Sequence, residues 1–152
     1  MRAFFDTSAL VKNYVRESGS EAVHAQIEQA DEVLLSVLAV PEALSTFNRL
    51  RRERKLDGDR YAQLKRTLAA DVADASVVAL SPAVLAKAVE CLEQAPLRAS
   101  DAIHVASAVE AMADRFVSAD RRQCAAARAM GLVVEEIPTE DDADGGADGT
   151  AR

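Results

Sequence analysis

Arg2-Ala3-Phe4-Phe5-Asp6-Thr7-Ser8-Ala9-Leu10 opens the chain on an apolar run that ends in an acid and passes at once into helix-forming residues. Ala3 to Asp6 reads as a short buried strand. Thr7 or Ser8 supplies a cap for a helix running to about Val15. The same strand signal returns at Val33-Leu34-Leu35-Ser36, Val77-Val78-Ala79-Leu80, Arg115–Ser118 and Leu132-Val133-Val134. Between these runs lie helical patterns, including one to about Lys55 with Pro41 near its start, one from Arg60 to about Asp74, and one opened by Ser81-Pro82. Another, capped by Ser100, is apolar nearly all round, as in a helix packed on a sheet and on its neighbours. The last starts at Asp120 and stops at Gly131. Strands alternating with helices predict an α/β fold, a mainly parallel central sheet of about five strands flanked by helices.

The chain has 152 residues, of which 49% are hydrophobic. That is enough for one domain with a real core. No apolar stretch approaches the roughly 18 residues a membrane span needs, and no signal-peptide pattern opens the chain. Cys91 and Cys124 have no metal-ligand spacing. They read as small core residues in a reduced, cytoplasmic setting.

The net charge of −7 is unevenly placed. Seven of the 25 acids and one of the 18 bases lie from Glu135 onward, leaving residues 1–134 with 18 acids and 17 bases, a net of −1. The body carries a basic cluster that includes Arg49, Arg51, Arg52, Arg54 and Lys55. Such a cluster is either a solvated helix face or a track for a phosphate backbone. Thr139–Arg152 is rich in Asp, Gly and Ala and has no core-forming pattern, so it is expected to be disordered. The charge split leaves two readings of this tail, a solubilising segment or one that lies transiently across the basic cluster and competes there with a polyanion.

Four acids stand beside apolar or turn-capable segments: Asp6, Glu42, Asp101 and Asp120. Strand ends and helix starts are where an α/β fold gathers functional side chains. If these four converge, they make an oxygen-rich site of the kind that Mg²⁺ or Mn²⁺ prefers. Clustered carboxylates repel one another when metal is absent, so metal should stabilise the fold by mass action. Taken singly, each acid has a plainer role as a helix cap or a first-turn dipole partner. Asp101, in an otherwise apolar helix, would then be a poorly solvated charge lacking a partner. His104, three residues after Asp101, reads as a packed or hydrogen-bonding histidine rather than a ligand, because hard metals seldom need imidazole.

The order of four motifs resembles the PIN-domain family. Phe4-Phe5-Asp6-Thr7-Ser8-Ala9-Leu10-Val11-Lys12 resembles its opening motif, and Ser36-Val37-Leu38 with Pro41-Glu42-Ala43 its second. Leu97–Ala106, containing Ser100-Asp101-Ala102-Ile103-His104, looks like the third, and Phe116-Val117-Ser118-Ala119-Asp120 like the fourth. The resemblance spans roughly residues 2–137. It implies a single PIN-like nuclease domain over residues 1–137, with residues 138–152 as an acidic tail. Size and domain count look like the toxin ribonucleases of VapBC-type toxin–antitoxin pairs.

That resemblance implies a Mg²⁺- or Mn²⁺-dependent endoribonuclease leaving a 5′-phosphate and a 3′-hydroxyl. Asp6, Asp101 and Asp120 would hold the metal directly or through water. Glu42 would complete the catalytic acids and help position the attacking water. Thr7, Ser8 and Ser118 would hydrogen-bond the carboxylates or metal waters. If the basic cluster is a phosphate track and not a solvated helix face, Arg49, Arg51, Arg52, Arg54 and Lys55 would meet the RNA. The family also implies a homodimer and a small antitoxin that blocks the site. Some relatives carry a further acid near the fourth motif, where this chain has Ser118. The competing reading is a catalytically idle PIN-like module that binds RNA or protein. Phosphotransfer folds fit less well, because the first strand ends in Asp6-Thr7-Ser8 and not in Asp-x-Asp.

Overall fold

Phe4 and Phe5 point to opposite faces of a strand, and both are wholly buried. That double burial requires helices on both sides of the sheet. The computed structural model describes residues 1–144. Its strands are β1 (Arg2–Phe5), β2 (Glu32–Ser36), β3 (Ser76–Val78), β4 (Arg115–Ser118) and β5 (Val134–Glu136). Its helices are α1 (Thr7–Leu10), α2 (Ser20–Gln29), α3 (Ala39–Arg52), α4 (Gly58–Asp74), α5 (Pro82–Gln94), α6 (Ala99–Glu110), α7 (Arg121–Ala129) and α8 (Glu140–Asp144). The order across the sheet is β3-β2-β1-β4-β5, and every neighbouring pair is parallel. The α/β expectation therefore holds, with a sheet that is wholly parallel among the described residues.

Alternation along the strands divides the core in two. Ala3, Phe5, Leu35 and Val117 pack under Leu10, Phe47 and Leu68 from the helices of one face. Phe4, Leu34 and Phe116 pack under Val84, Val105 and Ala127 from the other. Phe4 and Phe116, paired across β1 and β4, stack with ring centroids 5.7 Å apart. Cys91 and Cys124 are free and buried, and burial pushes the Cys124 thiol up to about 11, which makes it inert as a nucleophile.

Several local expectations shift. Asp6, not Thr7 or Ser8, caps α1 by accepting the Ala9 N–H. The helix tightens into a 3₁₀ turn over Val11–Asn13 and stops short of Val15. Helix α6 begins one residue before Ser100, with extended Arg98 as its N-cap and no side-chain cap bond. The fifth strand starts at Val134 and not at Leu132. Gly131, at φ +86°, closes α7 with Gly131 N–H donating to Arg128 O and Leu132 N–H donating to Ala127 O. This paired C-cap uses Leu132 before a strand can begin. Pro41 falls in the first turn of α3, where its missing N–H costs nothing.

Thr139–Asp144 departs from the expected disorder in its first residues. Glu140–Asp144 forms α8, with the Asp142 carboxylate accepting from the Thr139 N–H and hydroxyl at 2.9 and 3.0 Å. The remainder of that expectation, residues 145–152, lies outside the described residues.

Candidate active site

The strand order reverses between β1 and β4, so the crevice beyond their C-terminal ends is the natural ligand position of such a sheet. Asp6 follows β1 directly, and Asp120 follows β4 by two residues. Glu42 lies in the first turn of α3, which leaves the same edge after β2. The C-terminal end of α6 lies at the opposite edge, where Arg2 Nη1 donates to the O of its C-cap Ala111 at 2.6 Å. The first turn of α6, which carries Asp101, therefore faces the crevice. Gln123 of α7 confirms this by donating from Nε2 to Asp101 Oδ1 at 3.1 Å.

Asp6 is fully buried. Its Oδ1 accepts from Ala9 N–H at 2.9 Å, and its Oδ2 from Ser118 Oγ at 2.7 Å. The Ser8 hydroxyl lies 2.8 Å from both oxygens. Burial raises the Asp6 pKa above the ordinary carboxylate value, against the hydrogen bonds from Ser118, Ala9 and Ser8. Ser118 Oγ also accepts from Asp120 N–H at 3.0 Å, so one hydroxyl ties the first acid to the loop of the last. Thr7 reaches the other way and donates to Glu42 Oε1 at 3.0 Å. The serines and the threonine thus serve carboxylates, which is why Thr7 and Ser8 do not cap α1.

Asp120 caps α7 through Oδ1, accepting from Arg122 and Gln123 N–H at 2.9 and 3.4 Å. Asp101 has its pKa raised, first by burial and then by the charge of Asp120, with Glu42 adding to it. Asp101 thus feels the charges of Asp120 and Glu42. Glu42 goes down despite burial, because hydrogen bonding and charge from His104, with the Thr7 bond, outweigh it. His104 Nε2 bonds directly to Glu42 Oε1.

Among the described residues, no three carboxylate, imidazole or thiol groups stand together as a ready metal cage. The donors fit a hard cation by type instead. Glu42, Asp101 and Asp120 each commit one oxygen to protein donors, and the other oxygen makes no hydrogen bond among the described residues. Half-committed carboxylates are oriented and still able to ligate. Asp6 is the least open of the four.

Arg49, Arg51, Arg52, Arg54 and Lys55 are all exposed, at and just beyond the C-terminal end of α3. Glu53 pairs with Arg49 at 3.5 Å and with Lys55 at 3.1 Å. Arg51 lies 5.0 Å over the Tyr61 ring. Arg49 lines a cavity of ≈ 290 Å³ together with Lys12, Ala119 and Ser8, the last of which hydrogen-bonds Asp6. A second cleft, of ≈ 430 Å³, runs past Ser8, Asp120, Arg121 and Arg122 to Thr139 and Asp141. Arg121 is bonded to Asp142 and lies 3.7 Å from Glu136. The tail thus meets Arg121, and not the Arg49–Lys55 cluster, among the described residues.

Fold and site together define a parallel α/β protein with an acidic crevice at its switch point. The chain matches the PIN domain family over residues 3–129 and belongs to it. Its fold is similar to VapC20 of Mycobacterium tuberculosis, a sarcin–ricin loop cleaving toxin, at TM-score 0.64 and 16% identity over 90% of this chain and 99% of that one. VapBC2 of Rickettsia felis, bound to a DNA fragment from its promoter, gives 0.66 and 12% over 91% and 100%. A toxin–antitoxin complex from Klebsiella pneumoniae gives 0.62 and 16% over 81% and 90%. No curated protein matches the chain in sequence.

Proposed function

We propose that this chain is the endoribonuclease toxin of a toxin–antitoxin pair, hydrolysing RNA phosphodiester bonds with water at a Mg²⁺ or Mn²⁺ site. One observation carries the reading. Asp6, Glu42, Asp101 and Asp120 come from four separate segments and are linked through Ser118, Thr7, His104 and Gln123, and Glu42, Asp101 and Asp120 each keep one oxygen with no hydrogen bond among the described residues. A bound divalent cation would neutralise the phosphate and lower the pKa of the attacking water. Asp101 and Asp120 would hold the cation from the rim, with Asp6 behind them. Glu42 would orient the water. Thr7, Ser8 and Ser118 hold the acids in place.

RNA would approach along the exposed bases Arg49, Arg51, Arg52, Arg54 and Lys55, where phosphate contacts give salt-dependent, sequence-independent affinity. Leu85, Val89 and Leu92 form an exposed apolar stripe on α5 at helical spacing. That stripe gives a protein partner, a second copy or an antitoxin, a face to cover. No helix among the described residues is long and apolar enough to cross a membrane. Two free buried cysteines suit a reducing, cytoplasmic setting.

Full burial of Asp6 favours the second reading, a PIN-like module that binds RNA or protein without cutting. Incubation of the protein with total cellular RNA separates the two. Discrete cuts that need Mg²⁺ or Mn²⁺ and vanish in Asp6→Asn are expected. Metal binding with no cleavage of any RNA favours the idle module.

Truncation before Thr139 removes Asp142, one of the two acids paired with Arg121, and leaves Glu136. An exposed pair contributes about 0.2–1 kcal/mol, so RNA affinity is expected to rise by up to about fivefold, most at low salt. Fluorescence anisotropy at low and high salt checks this, and equal affinities at low salt contradict it.

A further inference from the structure

Helix α6 is apolar nearly all round, and His104 stands in the middle of it, 1% exposed. Its ring packs edge-on against Phe4, with centroids 6.4 Å apart. A leucine would fill this place with no polar atom to satisfy. The imidazole instead leaves Nδ1 buried with no hydrogen-bond partner among the described residues, a cost that calls for an explanation.

The other ring nitrogen supplies it. Nε2 meets Glu42 Oε1 and lies 3.3 Å from Thr7 Oγ. An ionised carboxylate only accepts, so Nε2 carries the hydrogen. Thr7 Oγ donates to the same Oε1 at 3.0 Å. Two donors on one oxygen fix a side chain that is half-buried and otherwise free to turn. Glu42 Oε2 makes no hydrogen bond among the described residues. Gln123 repeats the pattern: its Nε2 donates to Asp101 Oδ1 at 3.1 Å, while its Oε1 is buried and unpartnered. Two buried polar residues thus each give one atom to an acid and leave the other unsatisfied.

We propose that His104 is a positioning residue of the acid site. Its Nε2–H, with the Thr7 hydroxyl, clamps Oε1 of Glu42 and presents Oε2 as the oxygen that meets water in the crevice. This role rests on the nuclease reading above. Pre-set orientation of a group that holds the attacking water raises turnover rather than substrate affinity.

Steady-state kinetics on an RNA cut by the wild type tests it. His104→Leu is expected to lower kcat by about ten- to a hundredfold, the range for groups that orient ligands, with KM within about twofold. His104→Gln, which restores a donor toward Glu42, should recover part of kcat. An active wild type with unchanged kcat in a folded His104→Leu overturns the clamp and leaves the nuclease reading intact. A wild type inert toward RNA in both metals overturns the nuclease reading, and the role of His104 falls with it. ¹⁵N NMR of the wild-type ring decides the geometry without activity, even if the leucine variant fails to fold. The Nε2–H tautomer, with an Nε2 resonance that moves in Glu42→Gln, is expected. An Nδ1–H tautomer overturns the proposal whether or not the protein cuts RNA.

Discussion

Asp101→Asn is expected to abolish metal-dependent RNA cleavage and to raise the melting temperature of the metal-free protein. The two effects have one cause. Burial, then the charge of Asp120, with Glu42 behind it, disfavours the ionised Asp101. The same repulsion is what a divalent cation would relieve. An amide keeps an acceptor for Gln123 Nε2 but removes the charge. Cleavage should fall by at least about a hundredfold, the upper end of what groups merely orienting metal ligands cause. The pH dependence has a definite sign. With its pKa raised in the fold, Asp101 keeps its proton over a window in which the unfolded chain has lost it. Stability therefore declines as pH rises through that window, from the ordinary carboxylate range upward. Asn removes the decline. Glu42, lowered in the fold, works in the opposite sense, and its contribution is lost on acidification. Thermal melts in chelator at several pH values check the point. A variant that is less stable than the wild type at neutral pH would show that the acids do not repel.

Ser118→Ala is expected to be the most destabilising change of a single small side chain in the crevice. The hydroxyl donates to buried Asp6 Oδ2 at 2.7 Å and accepts from Asp120 N–H at 3.0 Å. A hydrogen bond to a charged group contributes about 1.5–3 kcal/mol, and the Asp120 N–H loses its acceptor as well. For a chain of this length that lowers the melting temperature by about 5–10 °C. It also pushes the Asp6 pKa further up, since the Ser118 bond is the largest influence holding it down. A double-mutant cycle isolates the contact. In an Asp6→Asn background the cost of Ser118→Ala should shrink to about 1 kcal/mol, the neutral value. Equal costs in both backgrounds would mean that the hydroxyl does not serve the carboxylate.

Much of this architecture was legible in the chain. Short apolar runs ending in turn residues located the strands, because a strand buried on both faces reads as continuous hydrophobicity. β5 was displaced because Leu132-Val133 looks like strand, whereas Gly131 first spends Leu132 on closing α7. The four acids were visible through their motifs. What they bond to was not. The i, i+3 spacing set His104 beside Asp101, yet the fold turns its Nε2 to Glu42, 62 residues earlier in the chain. Gln123 gave no signal, since nothing in a glutamine three residues after Asp120 marks it as the partner of Asp101. Contacts of this kind depend on how α3, α6 and α7 meet at the strand ends, and helical periodicity carries no record of that. The cap at Asp6 was missed for a related reason: Thr7 and Ser8 are good caps by type, but both hydroxyls are taken by carboxylates.

The most direct test is the chemistry of the ends left on RNA cut by the pure protein in Mg²⁺ or Mn²⁺. Attack by water on phosphorus with the 3′-oxygen as the leaving group predicts 5′-phosphate and 3′-hydroxyl ends, absent in chelator and absent with Asp6→Asn. Cyclic 2′,3′-phosphate ends, or cuts that persist in chelator, would mean that the 2′-hydroxyl attacks and that the four carboxylates do not form a metal-dependent hydrolytic site.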